Sequence, residues 1–152
     1  MWTNRRRRHG HDHRRALARG DGMIVVGYTA DRFGEVAVEH GITEANRRGT
    51  GLLVVNSTAG DSYVDAAFAQ PKDVSGLEAQ LADCGVPYEV QQPVGVYAAD
   101  ALLTAMERDD AELLVIGLRH RSPVGKLLLG SVSQQVLLEC PKPVLAVKPD
   151  EG

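Results

Sequence analysis

Residues 113–131 read LLVIGLRHRSPVGKLLLGS, and the rest of the chain is organised around this stretch. Leu113, Leu114, Val115 and Ile116 form a short apolar run closed by Gly117, the pattern of a fully buried strand ending in a tight turn. A basic loop punctuated by glycine follows and ends at Gly130-Ser131. Beyond it Val132, Val136 and Leu137 recur at helical spacing, and Ser131 with Gln134 makes the S-x-x-Q pattern of a capping box. A loop running from a strand end to a helix start leaves backbone N–H groups unpaired where the helix dipole favours negative charge. A phosphate can be held there without a catalytic side chain. Taken singly, Gly117, Gly130 and Ser131 also suit ordinary turn and cap geometry. Gly125-Lys126 does not make a P-loop, because G-x-x-x-x-G-K-[ST] requires glycine at His120 and Ser or Thr at Leu127.

Working outward, the same alternation of buried strand and amphipathic helix recurs on both sides. Met23 to Tyr28 is an apolar run of strand length. From Asp31 the pattern turns helical and ends at Arg47-Arg48-Gly49, with cations and a glycine stop. Leu52 to Val55 predicts a second buried strand, and Ser57 to Asp73 a loop. Leu77, Leu81 and Cys84 mark a helix stopped by Gly85, and Tyr88 to Gln92 a more polar strand ending at Pro93. Val96, Ala99, Leu102 and Met106 mark another helix, and Val144 to Val147 a last strand after Pro143. Five strands alternating with four helices imply right-handed βαβ units, hence an α/β fold with a doubly wound parallel sheet. Ligands in such sheets bind beyond the carboxyl ends of the strands where strand order reverses, which selects Gly27 to Asp31 and Gly117 onward.

A chain of 152 residues accommodates one domain with a real core. No run approaches the roughly 18 apolar residues of a membrane span. Cys84 and Cys140 are too few for a disulfide framework, a redox C-x-x-C or a structural zinc site, and read as buried reduced thiols of a cytoplasmic protein. The net charge of −3 is unevenly spread: residues 1–22 carry +5, leaving −8 for the remainder. Residues 1–22, rich in Arg and His and poor in apolar residues, predict a disordered tail, with residues 23–152 as the folded domain. Met23 opens the first strand directly and is a second candidate start of translation. Arg5 to Arg8 leave nucleic acid as a weak partner only, and His9, His11 and His13 read as solvated, with no dedicated metal site.

Taken together, the VGY strand, the helix ending ANRRG, LLVIGLR and GKLLLGSVSQQVLLECPKPVLAVK make the chain resemble the universal stress protein family over Met23 to Lys148. The resemblance implies a Rossmann-like five-stranded parallel sheet of order 3-2-1-4-5, a homodimer through Val144 to Val147, and ATP, with or without Mg, as ligand. The family's G-x2-G-x9-G-[ST] motif falls on Gly117 and Gly130-Ser131, with His120 at the second glycine position. By the same resemblance backbone at Gly117, Gly130 and Ser131 and the Ser131 hydroxyl would hold phosphates, with Val132 adjoining in the site; the basic loop itself offers Arg119, Arg121 and Lys126 as phosphate partners, and His120 sits in that loop. Thr29, with Asp31 two residues on, stands where the family places a ribose-binding Asp. Ser57 matches a strand-two position whose backbone contacts adenine. The implied function is that of an adenine-nucleotide-binding stress-response regulator; the alternative is a dimeric interaction protein of the same fold without a nucleotide.

No catalytic constellation is visible: there is no G-x-S-x-G elbow, no H-E-x-x-H, and no nucleophile with a clear base. His40 reads as a partly buried packing residue of the first helix. At most a slow ATPase is expected, with His120 over the phosphates.

Overall fold

The computed structural model describes residues 2–5, 22–57, 70–118 and 129–150. In chain order the elements are β1 (Trp2–Arg5), β2 (Met23–Gly27), α1 (Arg32–Arg48), β3 (Gly51–Val55), α2 (Pro71–Ala82), β4 (Tyr88–Pro93), α3 (Ala98–Met106), β5 (Ala111–Gly117), α4 (Ser131–Glu139) and β6 (Val144–Val147). The sheet order is β1-β4-β3-β2-β5-β6. Strands β4-β3-β2-β5-β6 are all parallel and carry the expected 3-2-1-4-5 order, with β2 at the reversal.

The central strands are unbroken apolar runs because both faces of the sheet are covered. On one face Ile24, Val26, Leu52, Val54 and Val115 meet Val38 and Ala45 of α1 and Val74, Leu77 and Leu81 of α2. On the other Val25, Leu53, Val55, Leu114 and Ile116 meet Ala99, Leu102 and Met106 of α3 and Val136 of α4. Neighbouring residues along each strand thus serve opposite layers, as the pleat requires. Asp31 starts α1 by accepting hydrogen bonds from the Phe33 and Gly34 N–H groups, and Gly49 ends it at φ 66°, the left-handed cap that glycine adopts without penalty. Gly34 is also required by space, since a β-carbon there would overlap the Thr29 carbonyl. That contact folds the β2–α1 turn tightly over the end of β2.

The structure departs from the sequence reading at several points. Residues 1–22 are expected to lack regular structure, yet residues 2–5 form an antiparallel edge strand, with Trp2 opposite Pro93 and Arg5 opposite Val90. An open strand edge offers backbone donors and acceptors to any extended segment, so this pairing does not need the apolar content on which the expectation rested. Met1 and residues 6–21 lie outside the described residues. Helix α2 begins at Pro71, inside the predicted loop, because proline suits the first helical position and the Asp73 carboxylate accepts the Gln70 N–H at 3.0 Å. Cys84 falls beyond the end of α2; it and Cys140 are free thiols, half-buried rather than buried. His40 is exposed on α1, its imidazole turned away from the core. Among the described residues no helix is long and apolar enough to cross a membrane.

Candidate functional site

The carboxyl ends of β2, β3 and β5 open into a cavity of about 340 Å³. Its floor is Gly27, Val55 and Ile116; its walls come from Phe33 of α1, from Tyr97 and Leu102 at α3, and from the start of α4. This is the strand-order reversal, where a parallel sheet leaves a crevice between helices on opposite faces. Thr29, Ser57, Gly117, Gly130, Ser131 and Val132 all line it, so residues far apart in sequence are brought to one place. Arg119 and His120, with Arg121 and Lys126, lie outside the described residues.

Asp31 does not line the cavity; it caps α1. One of its oxygens, Oδ1, accepts from the Phe33 N–H at 3.1 Å, the Gly34 N–H at 3.0 Å and the Thr29 hydroxyl at 2.6 Å. The expected sugar-binding carboxylate is therefore engaged within its own turn, and Thr29 is the polar residue that this turn presents to the cavity.

The opposite wall is tied down by buried polar groups. Asn56 donates through Nδ2 to the Tyr28 carbonyl at 2.8 Å and accepts at Oδ1 from the Gln92 amide at 3.1 Å. The ends of β2, β3 and β4 are thereby joined by side-chain bonds at the point where the ladder stops. The Ser57 hydroxyl donates to the Val96 carbonyl at 2.6 Å, which leaves the Ser57 side chain occupied and fixes the β4–α3 connection. The Tyr28 phenol is pushed above its ordinary pKa by burial first, and then by the negative charges of Asp73, Glu35 and Asp31.

Helix starts differ across the molecule. Helices α1 and α2 are closed by carboxylates, Asp31 and Asp73. Helices α3 and α4, which start at the cavity, have Tyr97 and Gly130 at the N-cap and no side-chain hydrogen bond to the cap. The capping box expected of Ser131 and Gln134 is therefore absent. Gly130 is the cap, its carbonyl accepting from the Gln134 N–H at 3.0 Å, and Ser131 is the first helical residue. Its hydroxyl instead meets the Tyr97 phenol at 3.3 Å.

The two motif glycines have different reasons. A β-carbon at Gly117 would overlap the Phe33 carbonyl, so that glycine is needed for α1 to pack against the end of β5. Gly130 has φ −64° and ψ 157°, open to any residue, and no described atom lies within 4 Å of a β-carbon built on it. Nothing in the described fold requires glycine there, and the space above its backbone belongs to the cavity.

Sequence reasoning missed Phe33, Asn56 and Tyr97. Asn56 carried a signal, since a polar residue directly after the LLVV run stands at a buried strand end and must find partners there. Tyr97 carried none, because its neighbour across the cavity is 34 positions away.

A model of the universal stress protein family matches residues 23–148. The chain belongs to the universal stress protein family. A universal stress protein of Mycolicibacterium smegmatis is 72% identical over 127 residues, covering 84% of this chain and 98% of that one. Among solved structures, a universal stress protein from Archaeoglobus fulgidus superposes with a TM-score of 0.66 at 28% identity, over 84% of this chain and 98% of the other. Another structure from that organism, a universal stress protein solved in complex with dAMP, gives 0.58 at 24% identity over the same shares.

Proposed function

We propose that the chain is a cytoplasmic stress-response regulator that binds an adenine nucleotide, ATP with Mg in the first instance, in the cavity at the ends of β2, β3 and β5. The observation that carries this reading is the convergence of two helix N-termini without side-chain caps, α3 and α4, on one cavity with apolar walls. Unpaired N–H groups and the positive ends of two helix dipoles suit phosphate, while Val55, Leu102 and Ile116 suit a base or sugar face. Gly130 allows the phosphate to approach the backbone. That a protein of the same fold is solved with dAMP agrees with this reading. The lining supplies binding groups, and the function follows from occupancy rather than turnover.

Thermal unfolding with and without millimolar ATP and Mg tests it. At about 100 times its dissociation constant a ligand stabilises by roughly 2.7 kcal/mol, several degrees for a domain of this size. An unchanged melting temperature at saturating ATP would count against the nucleotide and leave the alternative, a regulator working through its protein surfaces.

A second observation favours the dimer as the acting species. Val144, Leu145 and Ala146 of β6 are only partly buried, and α4 exposes Leu138 at 86% and Leu137 at 38%. A strand edge with nearby chain exposing leucines is a natural surface for a second copy. Leu138→Asp is expected to leave the protomer's stability within about 0.5 kcal/mol while weakening self-association by tenfold or more, on the order of 1.4 kcal/mol. Sedimentation velocity across a concentration series reads this directly, and a monomer–dimer equilibrium unmoved by the substitution would place the interface elsewhere.

A further inference from the structure

The geometry points to Tyr97 as a positioning residue that sets the Ser131 hydroxyl to donate to the ligand's phosphate, making the site select phosphorylated adenosine over adenosine. This rests on the nucleotide reading above and assigns within it a residue outside the glycine motif. Tyr97 ends the β4–α3 connection, and its phenol reaches across the cavity to Ser131 Oγ at 3.3 Å. The backbone that carries the phenol is held from both sides. The preceding Val96 carbonyl is held by Ser57 at 2.6 Å, and the Tyr97 carbonyl accepts the Ala101 N–H at 3.0 Å in the first turn of α3.

A serine hydroxyl has one proton and two lone pairs. In the usual helix-start arrangement a serine cap turns its lone pairs toward N–H groups of its own helix. Here Gly130 is the cap, and Ser131 Oγ instead accepts a hydrogen bond from the Tyr97 hydroxyl. The Ser131 proton is then left for an acceptor at the mouth of α4, where the N–H groups of the first turn also point. A hydroxyl that accepts one bond donates the next more strongly. Tyr97, Ser131 and a phosphate oxygen thus form a donor chain running inward from the cavity rim.

Titration calorimetry of the full chain with adenosine, AMP and Mg-ATP separates the possibilities. Tyr97→Phe keeps the ring and removes only the hydroxyl. It is expected to weaken AMP and ATP by about 5-fold, the usual effect of losing one hydrogen bond, and to leave adenosine within about 2-fold, which is additivity error. In a Ser131→Ala background the same change is expected to have no further effect on AMP or ATP, because Tyr97 acts through Ser131. Equal losses for adenosine and the nucleotides, or losses that add in the double variant, would overturn the proposal and make Tyr97 a wall residue. Nucleotide binding that Tyr97→Phe leaves unchanged overturns the proposal alone. If the unaltered chain binds none of the three, the nucleotide reading falls and takes the proposal with it.

Discussion

Gly130→Asp is expected to make the ligand-free protein slightly more stable while removing nucleotide binding. Gly130 stands at the N-cap of α4 in an extended conformation that any residue adopts, with open space where a side chain would begin. An aspartate there can accept the Val132 or Ser133 N–H, as Asp31 accepts from Phe33 and Gly34 at the start of α1. Its charge also lies favourably against the helix dipole. Together these effects add about 0.5 kcal/mol, or roughly 1–2 °C. The same carboxylate occupies the donors that a phosphate would use and places a negative charge beside it, which costs several kcal/mol and should lower affinity by at least roughly 100-fold. A melting curve rising by a degree or so without ligand and ceasing to respond to ATP is the expected pair of results. A variant that binds ATP as tightly as the parent would show that the start of α4 is not where the phosphate sits. The opposite signs matter, because an ordinary destabilising substitution cannot produce them.

Asn56→Leu is expected to produce the largest loss of stability of the substitutions considered. Asn56 is 1% exposed and bonds the Tyr28 carbonyl and the Gln92 side chain. Leucine fills a similar volume, so little cavity is created, but the Tyr28 carbonyl loses its donor and the Gln92 amide loses an acceptor inside the fold. Removing one partner from buried polar groups costs about 1–3 kcal/mol for each group affected, so a total of about 2–6 kcal/mol is expected for the two. For a chain of this length that corresponds to roughly 5–15 °C. Since Tyr28 and Ser57 on either side of this network line the cavity, the change should also weaken ligand binding at temperatures where the protein is still folded. Asn56→Asp keeps an acceptor for Gln92 but cannot donate to Tyr28, and should also destabilise. Differential scanning calorimetry of the two variants measures the effect, and a loss under 1 kcal/mol for Asn56→Leu would mean that water replaces the bonds and the strand ends are less closed than the structure shows.

How much of this was legible in the chain follows from the range over which each interaction acts. The buried strands were readable because a stretch of strand covered on both faces must be apolar at every position, as the runs Met23–Val26, Leu52–Val55 and Leu113–Ile116 are. Their parallel pairing followed from the helices between them, and the order 3-2-1-4-5 from the family resemblance. The motif spacing located Gly117, Gly130 and Ser131, and all three meet at the cavity. The sequence by itself therefore determined the fold class and, through the family resemblance, the sheet order.

Tertiary structure alone decided what each polar group at that site is free to do. Asp31 is committed to its own helix because the β2–α1 turn closes over Thr29. Ser131 is released from capping because the helix starts one residue earlier than its S-x-x-Q pattern suggests, and it then finds Tyr97. Gly117 answers to Phe33, whereas Gly130 answers to no described neighbour. Local patterns register which residues bury and where helices begin to within a turn. They cannot register a hydrogen bond or a steric contact between segments whose approach is set only when the two helix layers close on the sheet.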